Sequence, residues 1–316
     1  MHTHLIMVEG VPFTGKSTLS EFVAQQLGLN GISAQWVPEG VMWQQYFPRV
    51  LADLDQDYAV SQAVMWSEWS AFVQTVMSAG TTFVVDAALS FAAIYPLQAV
   101  DRPAAVIHAE LAHIAAMCTP LHPQVIHLTG DMDRLARASI VERGPAWQEQ
   151  LVGQSDTAPF QQARGRSGLG GAIAFLEDSQ ALTRVILADI GWPTLTLDVT
   201  TADWDTNRRA VLDFLDIPEV PVDRPVLTRA ALEGFAGTYA AEDPQSLSAT
   251  LSVRLEQNTL ALHGPQTRYG PLVPVSATRF HLTATPVDAE FVVEEGLARR
   301  LVLFRSNGKQ DAFRRI

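Results

Sequence analysis

The stretch GVPFTGKST, residues 10–18, directly follows the apolar run HLIMVE of residues 4–9 and decides how the first two thirds of the chain are read. Gly10, Gly15, Lys16 and Ser17 fit the pattern G-x-x-x-x-G-K-[ST] at every fixed position. The glycines let the backbone wrap an anion, and successive N–H groups, including those around Thr14 and Thr18, cradle phosphate oxygens. Lys16 reaches the β- and γ-phosphates and the Ser17 hydroxyl ligates magnesium. The pattern carries weight because of its context: a strand before it, and after it STLSEFVAQQLGLNG (17–31), whose apolar positions keep helical spacing up to Asn30 and Gly31.

Working outward, ISAQWVPEG (32–40) predicts a second strand, giving strand, phosphate loop, helix, strand, the opening of a parallel α/β domain. Residues 57–78 predict one long helix, and GTTFVVDAAL (80–89) a strand ending in Asp86. A helix around residues 102–117, a strand in PQVIHLTG (123–130) and a helix in DMDRLARASIVERG (131–144) follow. Residues 168–191, 193–200 and 203–217 then predict a helix, a last strand and a closing helix.

At PEVPVDRP (218–225) the pattern changes, with three prolines in eight residues and neither periodicity, as in a linker. Beyond it come short alternating runs such as LSATLSVRLE, TLALHG and RRLVLFRS, separated by turn residues. The expected organisation is an α/β domain over residues 1–217, a linker over 218–228 and a small all-β, barrel-like domain over 229–316.

Composition limits the function. The net charge is −12, from 34 acidic against 22 basic side chains, and no basic run reverses that field for nucleic acid or an anionic membrane. Only Lys16 and Lys309 are lysines, and the single Cys118 excludes an intrachain disulfide and a multi-cysteine zinc cluster. No basic n-region precedes an apolar h-region, and no uninterrupted apolar stretch approaches about 18 residues. The expectation is a soluble, cytoplasmic protein that binds neither nucleic acid nor membrane. The histidines show no metal-ligand spacing and no G-x-S-x-G elbow occurs.

The remaining candidate residues follow from phosphoryl-transfer chemistry. Asp86, at a strand tip, suits an acid that holds Mg2+ or its water. Glu39, at the neighbouring tip, suits a base that takes a proton from an acceptor hydroxyl, with Trp43 packing on that acceptor. Glu9 orders the loop or the acceptor site. Arg134, Arg137 and Arg143 offer positive charge for the transferred group, and Arg164 and Arg166 lie in a Gly-bounded segment suited to a lid.

MVEGVPFTGKSTLSEFVAQQL (7–27) with WVPEGVMWQQY (36–46) resembles the opening of the deoxynucleoside and thymidylate kinase group of P-loop kinases. The resemblance implies ATP and Mg2+ as cofactors, Glu39 as general base, Trp43 in the acceptor pocket, Gln62 facing the acceptor and Arg134 to Arg143 as lid arginines. Asp86-Ala87-Ala88 stands where that group has acid-Arg-Ser, which sets nucleoside chemistry in question. RLARASIVERGPAW (134–147) and DVTTADWDTNRRAVLDFL (198–215) are more similar to a poorly characterised bacterial branch of P-loop kinase-like proteins.

LEGFAGTYAAEDPQSLSATLSV (232–253), PLVPVSATRFHL (271–282) and FRSNGKQDAFRRI (304–316) are similar to the lipocalin-like β domains appended to penicillin-recognising serine hydrolases. That implies an accessory barrel and no hydrolase, since the Ser-x-x-Lys site is absent. The expected function is ATP-dependent phosphoryl transfer to a small-molecule hydroxyl. The alternative is a nucleotide-dependent binding module with slow hydrolysis. The β domain closes over the acceptor, binds a partner or sets a homodimer; the sequence does not rank these.

Overall fold

The computed structural model describes residues 3–57, 61–246, 248–283, 285–305 and 308–316, with side chains 55–57 outside the description. It divides into two compact units: Met1–Ser139 with Glu149–Val220, and Ile140–Gln148 with Pro221–Ile316.

The first unit is built on five parallel strands, β1 (Leu5–Glu9), β2 (Ala34–Val37), β3 (Thr82–Asp86), β4 (Gln124–Thr129) and β5 (Thr194–Asp198), in the order β2-β3-β1-β4-β5. Its helices are α1 (Lys16–Leu29), the short α2 (Glu39–Val41), α3 (Pro48–Asp57), α4 (Gln62–Ala79), α5 (Tyr95–Ala99) and α6 (Ala104–Cys118). They continue with α7 (Met132–Arg143), α8 (Pro145–Asp156), α9 (Pro159–Ala163), α10 (Gly168–Ile190) and α11 (Trp204–Leu215).

Both faces of the sheet are covered, so β1 is apolar from Leu5 to Val8 rather than alternating. Leu5 and Met7 enter one core with Trp69, Phe72 and Leu111, while Ile6 and Val8 enter another with Leu19, Val23 and Val211. β1 pairs with β3 on one side and β4 on the other. The chain order reverses there, which opens a crevice at its carboxyl end, where the phosphate loop begins.

The long helix expected over 57–78 starts later. Ser61 caps α4 by accepting a hydrogen bond from the Val64 amide, and a separate helix, α3, precedes it. Residues 58–60 lie outside the described residues. Glu68 of α4 accepts hydrogen bonds from the Arg49 and Val50 amides and so caps α3 from across the packing interface.

One stretch, Ala104–Leu121, is long and apolar enough to cross a membrane by length and composition alone. It contains α6, whose Ile107, Leu111, Ile114 and Cys118 lie in the core beside β4.

The second unit contains a closed antiparallel barrel of eight strands. They are β6 (Gly237–Ala241), β7 (Thr250–Glu256), β8 (Thr259–His263), β9 (Arg268–Pro274), β10 (Arg279–Leu282), β11 (Val287–Glu294), β12 (Leu297–Arg305) and β13 (Gln310–Arg315). Closure removes the free sheet edges. The expectation of an all-strand unit from residue 229 is corrected at its start, because α12 (Arg229–Phe235) is a helix capped by Thr228. Leu232 and Phe235 of α12 join the barrel core with Phe280, Phe291 and Phe313, and Tyr239 donates a 2.6 Å hydrogen bond to the Phe235 carbonyl.

Candidate functional site

Residues 10–15 form the turn between β1 and α1, and Lys16 is the first residue of the helix. Gly15 is the N-cap, with φ +81°, and no side chain caps the helix, so the first-turn amides point into the turn as an anion receptor. Gly15 is needed on two counts. Its backbone is left-handed, and a Cβ there would stand 2.4 Å from Cη2 and 2.7 Å from Cζ2 of Trp204, the first residue of α11.

Lys16 is only 5% exposed. Its Nζ donates to the Val11 carbonyl at 3.1 Å and lies 5.3 Å from the centroid of the Phe91 ring. The Thr14 hydroxyl donates to the same carbonyl at 2.8 Å, closing the loop on itself. The ammonium also feels the nearby Asp86 and Glu9 carboxyls, but its hydrogen bond goes to a neutral carbonyl, and an anion arriving in the loop would add charge-assisted bonds to its shell.

Ser17 Oγ donates to Asp86 Oδ2 at 2.5 Å. Asp86 is fully buried and its Oδ1 has no hydrogen-bond partner among the described residues. Burial pushes this carboxyl above its ordinary range, while Lys16, Ser17 and the Glu39 backbone amide, which donates to it, pull the other way. A hydroxyl beside a carboxylate with one orphaned oxygen fits a hard, oxygen-preferring cation such as Mg2+. Among the described residues no three His, Cys, Asp or Glu side chains gather into a metal-holding group. A cation here would take its other ligands from water and phosphate, as Mg2+ usually does.

Glu9 is fully buried. Its Oε1 accepts from the Leu89 amide and its Oε2 from the Ser90 amide and Ser90 Oγ. Ser90 Oγ in turn accepts from the Gly10 amide at 3.4 Å. The carboxylate therefore ties the segment after β3 to the start of the phosphate loop. Burial raises its pKa, and the Ser90 and Leu89 bonds and Lys16 oppose the rise.

Glu39 opens α2 after β2, half-buried, with its amide on Asp86. That hydrogen bond brings the tips of β2 and β3 together beside Ser17. Trp43 meets Phe91 edge-on at 6.4 Å, and Phe91 stacks on Tyr95 at 5.9 Å. Through Phe91, Trp43 belongs to the set of rings beside the Lys16 ammonium.

Gln62 donates to Glu110 of α6, which also accepts from the Trp66 indole at 2.7 Å. Trp69 packs in the core against Phe47 and Phe72, and the Trp36 indole donates to Ser20. Arg134 and Arg137 are exposed on α7, with Arg137 paired to Asp133 at 2.8 Å. Arg143 falls in the second unit, its guanidinium 5.2 Å from the Trp147 ring. Arg164 pairs with Asp101 at 2.7 Å and lies over Phe160, and Arg166 pairs with Asp178 at 2.5 Å.

Ser90, Phe91 and Trp204 escape sequence reasoning. Ser90 and Phe91 sit in an apolar run with no motif of its own, and Trp204 reaches Gly15 only through the fold. No protein-family model matches the chain, and a search of the curated proteins returns no match.

Proposed function

We propose that this chain is a cytoplasmic ATP-dependent kinase of the P-loop type that phosphorylates a hydroxyl group of a small molecule, with a lipocalin-like accessory barrel. The observation that carries this reading is the buried Lys16 at an uncapped helix start, beside the Ser17–Asp86 pair. The loop amides and Lys16 would hold the phosphates, and Ser17 and Asp86 the cation. Bound Mg2+ would supply charge neutralisation of the β- and γ-phosphate oxygens.

Glu39 would take the proton from the acceptor hydroxyl as its oxygen bonds to the γ-phosphorus. The bond from that phosphorus to the β–γ bridging oxygen breaks, and ADP leaves with the electron pair. Arg134 and Arg137 would steady the transferred group from α7. Trp43, Phe91 and Tyr95, grouped on the ammonium side of the loop, support an acceptor with an apolar or planar body.

The test incubates the protein with Mg2+-ATP and pooled hydroxyl-bearing metabolites and antibiotics, following ADP release and product mass beside Lys16→Ala and Glu39→Gln. A phosphorylated product made by wild type and lost in both variants supports transfer and names the acceptor class. ATP binding that needs Lys16, with no pool phosphorylated and no effect of Glu39→Gln, would sink the kinase mechanism in favour of a nucleotide-controlled binding module.

A further inference from the structure

The phosphate loop carries an aromatic residue where its backbone calls for glycine. Phe13 has φ +80°, in the left-handed region where a bulky side chain is a true outlier. It follows Pro12, and a positive φ directly after a turn proline is the third position of a type II turn, usually filled by Gly or Asn. Gly15 is also left-handed, at φ +81°, whereas Thr14 between them is not. Such alternation turns successive N–H groups toward one side of the chain, forming the concave nest that receives an anion. The handedness of residue 13 is therefore part of the receptor, alongside the first-turn amides of α1.

The ring of Phe13 accounts for the strain. Val11, buried, and Phe13, half-buried, project from the loop onto one apolar cluster. Its other members include Met132 and Ala136 of α7 and Ile173, Phe175 and Leu176 of α10, with Phe160 of α9 packed against it, all within the first unit. The Gly10 amide donates to Ser90 Oγ, and Thr14 and Lys16 donate to the Val11 carbonyl. None of these bonds is made by residue 13, whose unfavourable φ is offset by the packing of its ring. A glycine there would reach the same φ freely, but it would bring no anchor and many more loop conformations.

We propose that Phe13 is a positioning residue for the phosphate loop: its ring, seated on the cluster of α7, α9 and α10, holds the left-handed turn that aims the loop amides at a phosphate before the ligand arrives. The ligand in this inference rests on the nucleotide-binding part of the kinase reading above; the anchoring does not. Preorganisation removes the cost of ordering the loop on binding, so its effect belongs in affinity for the phosphate chain. The same cluster supports Phe160, and the Arg164 guanidinium lies 3.4 Å from the centroid of that ring. The loop and the Gly-bounded arginine segment thus share one apolar mounting.

The test uses the full chain and three variants: Phe13→Gly, Phe13→Ala and the conservative Phe13→Leu. Inorganic tripolyphosphate and Mg2+-ATP are titrated calorimetrically, amide hydrogen exchange is read over residues 10–18 and over α10, and urea unfolding of the first unit is recorded for each protein. Leucine keeps an apolar side chain on the cluster and should bind tripolyphosphate within about threefold of wild type. Phe13→Gly should bind about tenfold more weakly, and Phe13→Ala more weakly still, because alanine keeps the left-handed penalty without the anchor. Exchange of residues 10–18 should accelerate about tenfold in Phe13→Gly while α10 stays protected.

A ring that only fills space would lower the urea midpoint in proportion to the volume removed and leave affinity intact. Tripolyphosphate affinity within about twofold of wild type in both Phe13→Gly and Phe13→Ala would therefore overturn the proposal, as would unchanged exchange at 10–18 in Phe13→Gly. A wild-type protein that binds neither tripolyphosphate nor Mg2+-ATP would sink the nucleotide reading and the aiming role with it, and the exchange result would still decide whether the ring anchors the turn.

Discussion

Replacing Gly15 with alanine tests the packing of Trp204 on the phosphate loop. At φ +81° the added Cβ pays the left-handed penalty, about 1–2 kcal/mol for a non-glycine residue. It would also stand 2.4 and 2.7 Å from two indole carbons, where about 3.5–4.0 Å is comfortable. The ring must move by roughly 1 Å, against the core cluster it packs on, which contains Leu19 and Val211. Overpacking of this kind costs about 1–3 kcal/mol, so Gly15→Ala should lose about 2–5 kcal/mol in all.

Trp204→Ala alone should cost about 2 kcal/mol, below the roughly 3–5 kcal/mol of a fully buried aromatic because the ring is half-buried. Combining the two removes the overlap and leaves the backbone penalty. The double variant should therefore be more stable than the sum of the singles predicts, by about 1–3 kcal/mol. Urea unfolding, with the transition of the first unit fitted separately, measures all four proteins. Additivity within about 0.5 kcal/mol would refute the contact.

Other perturbations have equally definite signs. His127 is buried on β4, and burial, helped by Arg184, lowers its pKa to about 4 from an ordinary 6.5. The unfolded chain binds the proton more tightly, so this contribution is complete above pH 6.5 and lost as pH falls toward 4; it amounts to about 3 kcal/mol. His127→Leu should flatten the stability profile across that window, and an unchanged acid limb would rule out a neutral buried imidazole. Asp86→Asn should abolish any Mg2+ dependence of nucleotide binding in a calorimetric titration while leaving the Lys16-dependent part, and retained Mg2+ dependence would exclude Asp86 as a ligand. Glu68→Ala uncaps α3 and should destabilise the first unit by about 1–3 kcal/mol, read from its thermal transition. Tyr239→Phe deletes the hydroxyl bonded to the Phe235 carbonyl and should cost the barrel about 1 kcal/mol, seen as a shift confined to the second transition.

The legible parts of the fold were those with strong local signals. β1, the glycine turn and α1 could be read from residues 4–31 because an apolar run, two glycines and a helical period coincide there. β9 was hidden by Pro271 and Pro274, which argue against a strand, although the residues around them pair with β8 and β10. The segment after β3 carries no motif, and its shape depends on Glu9, some 80 residues upstream, holding the Leu89 and Ser90 amides. Trp204 and Gly15 are 189 positions apart, and no spacing rule reaches across that distance. Likewise Gln62 faces Glu110 because α4 packs on α6, a pairing set by tertiary structure rather than by residue type.

The discontinuity of the second unit also constrains how the chain is made. Residues 140–148, which belong to that unit, leave the ribosome well before Arg268, whose guanidinium donates a hydrogen bond to Glu142. At about 5–20 residues per second, synthesis of the intervening stretch takes on the order of ten seconds. During that interval Glu142 exists without this partner, while all five strands of the parallel sheet are completed ahead of the barrel. A chain stopped at the proline-rich linker would thus keep every strand of the parallel sheet and lack the Arg268 partner of Glu142.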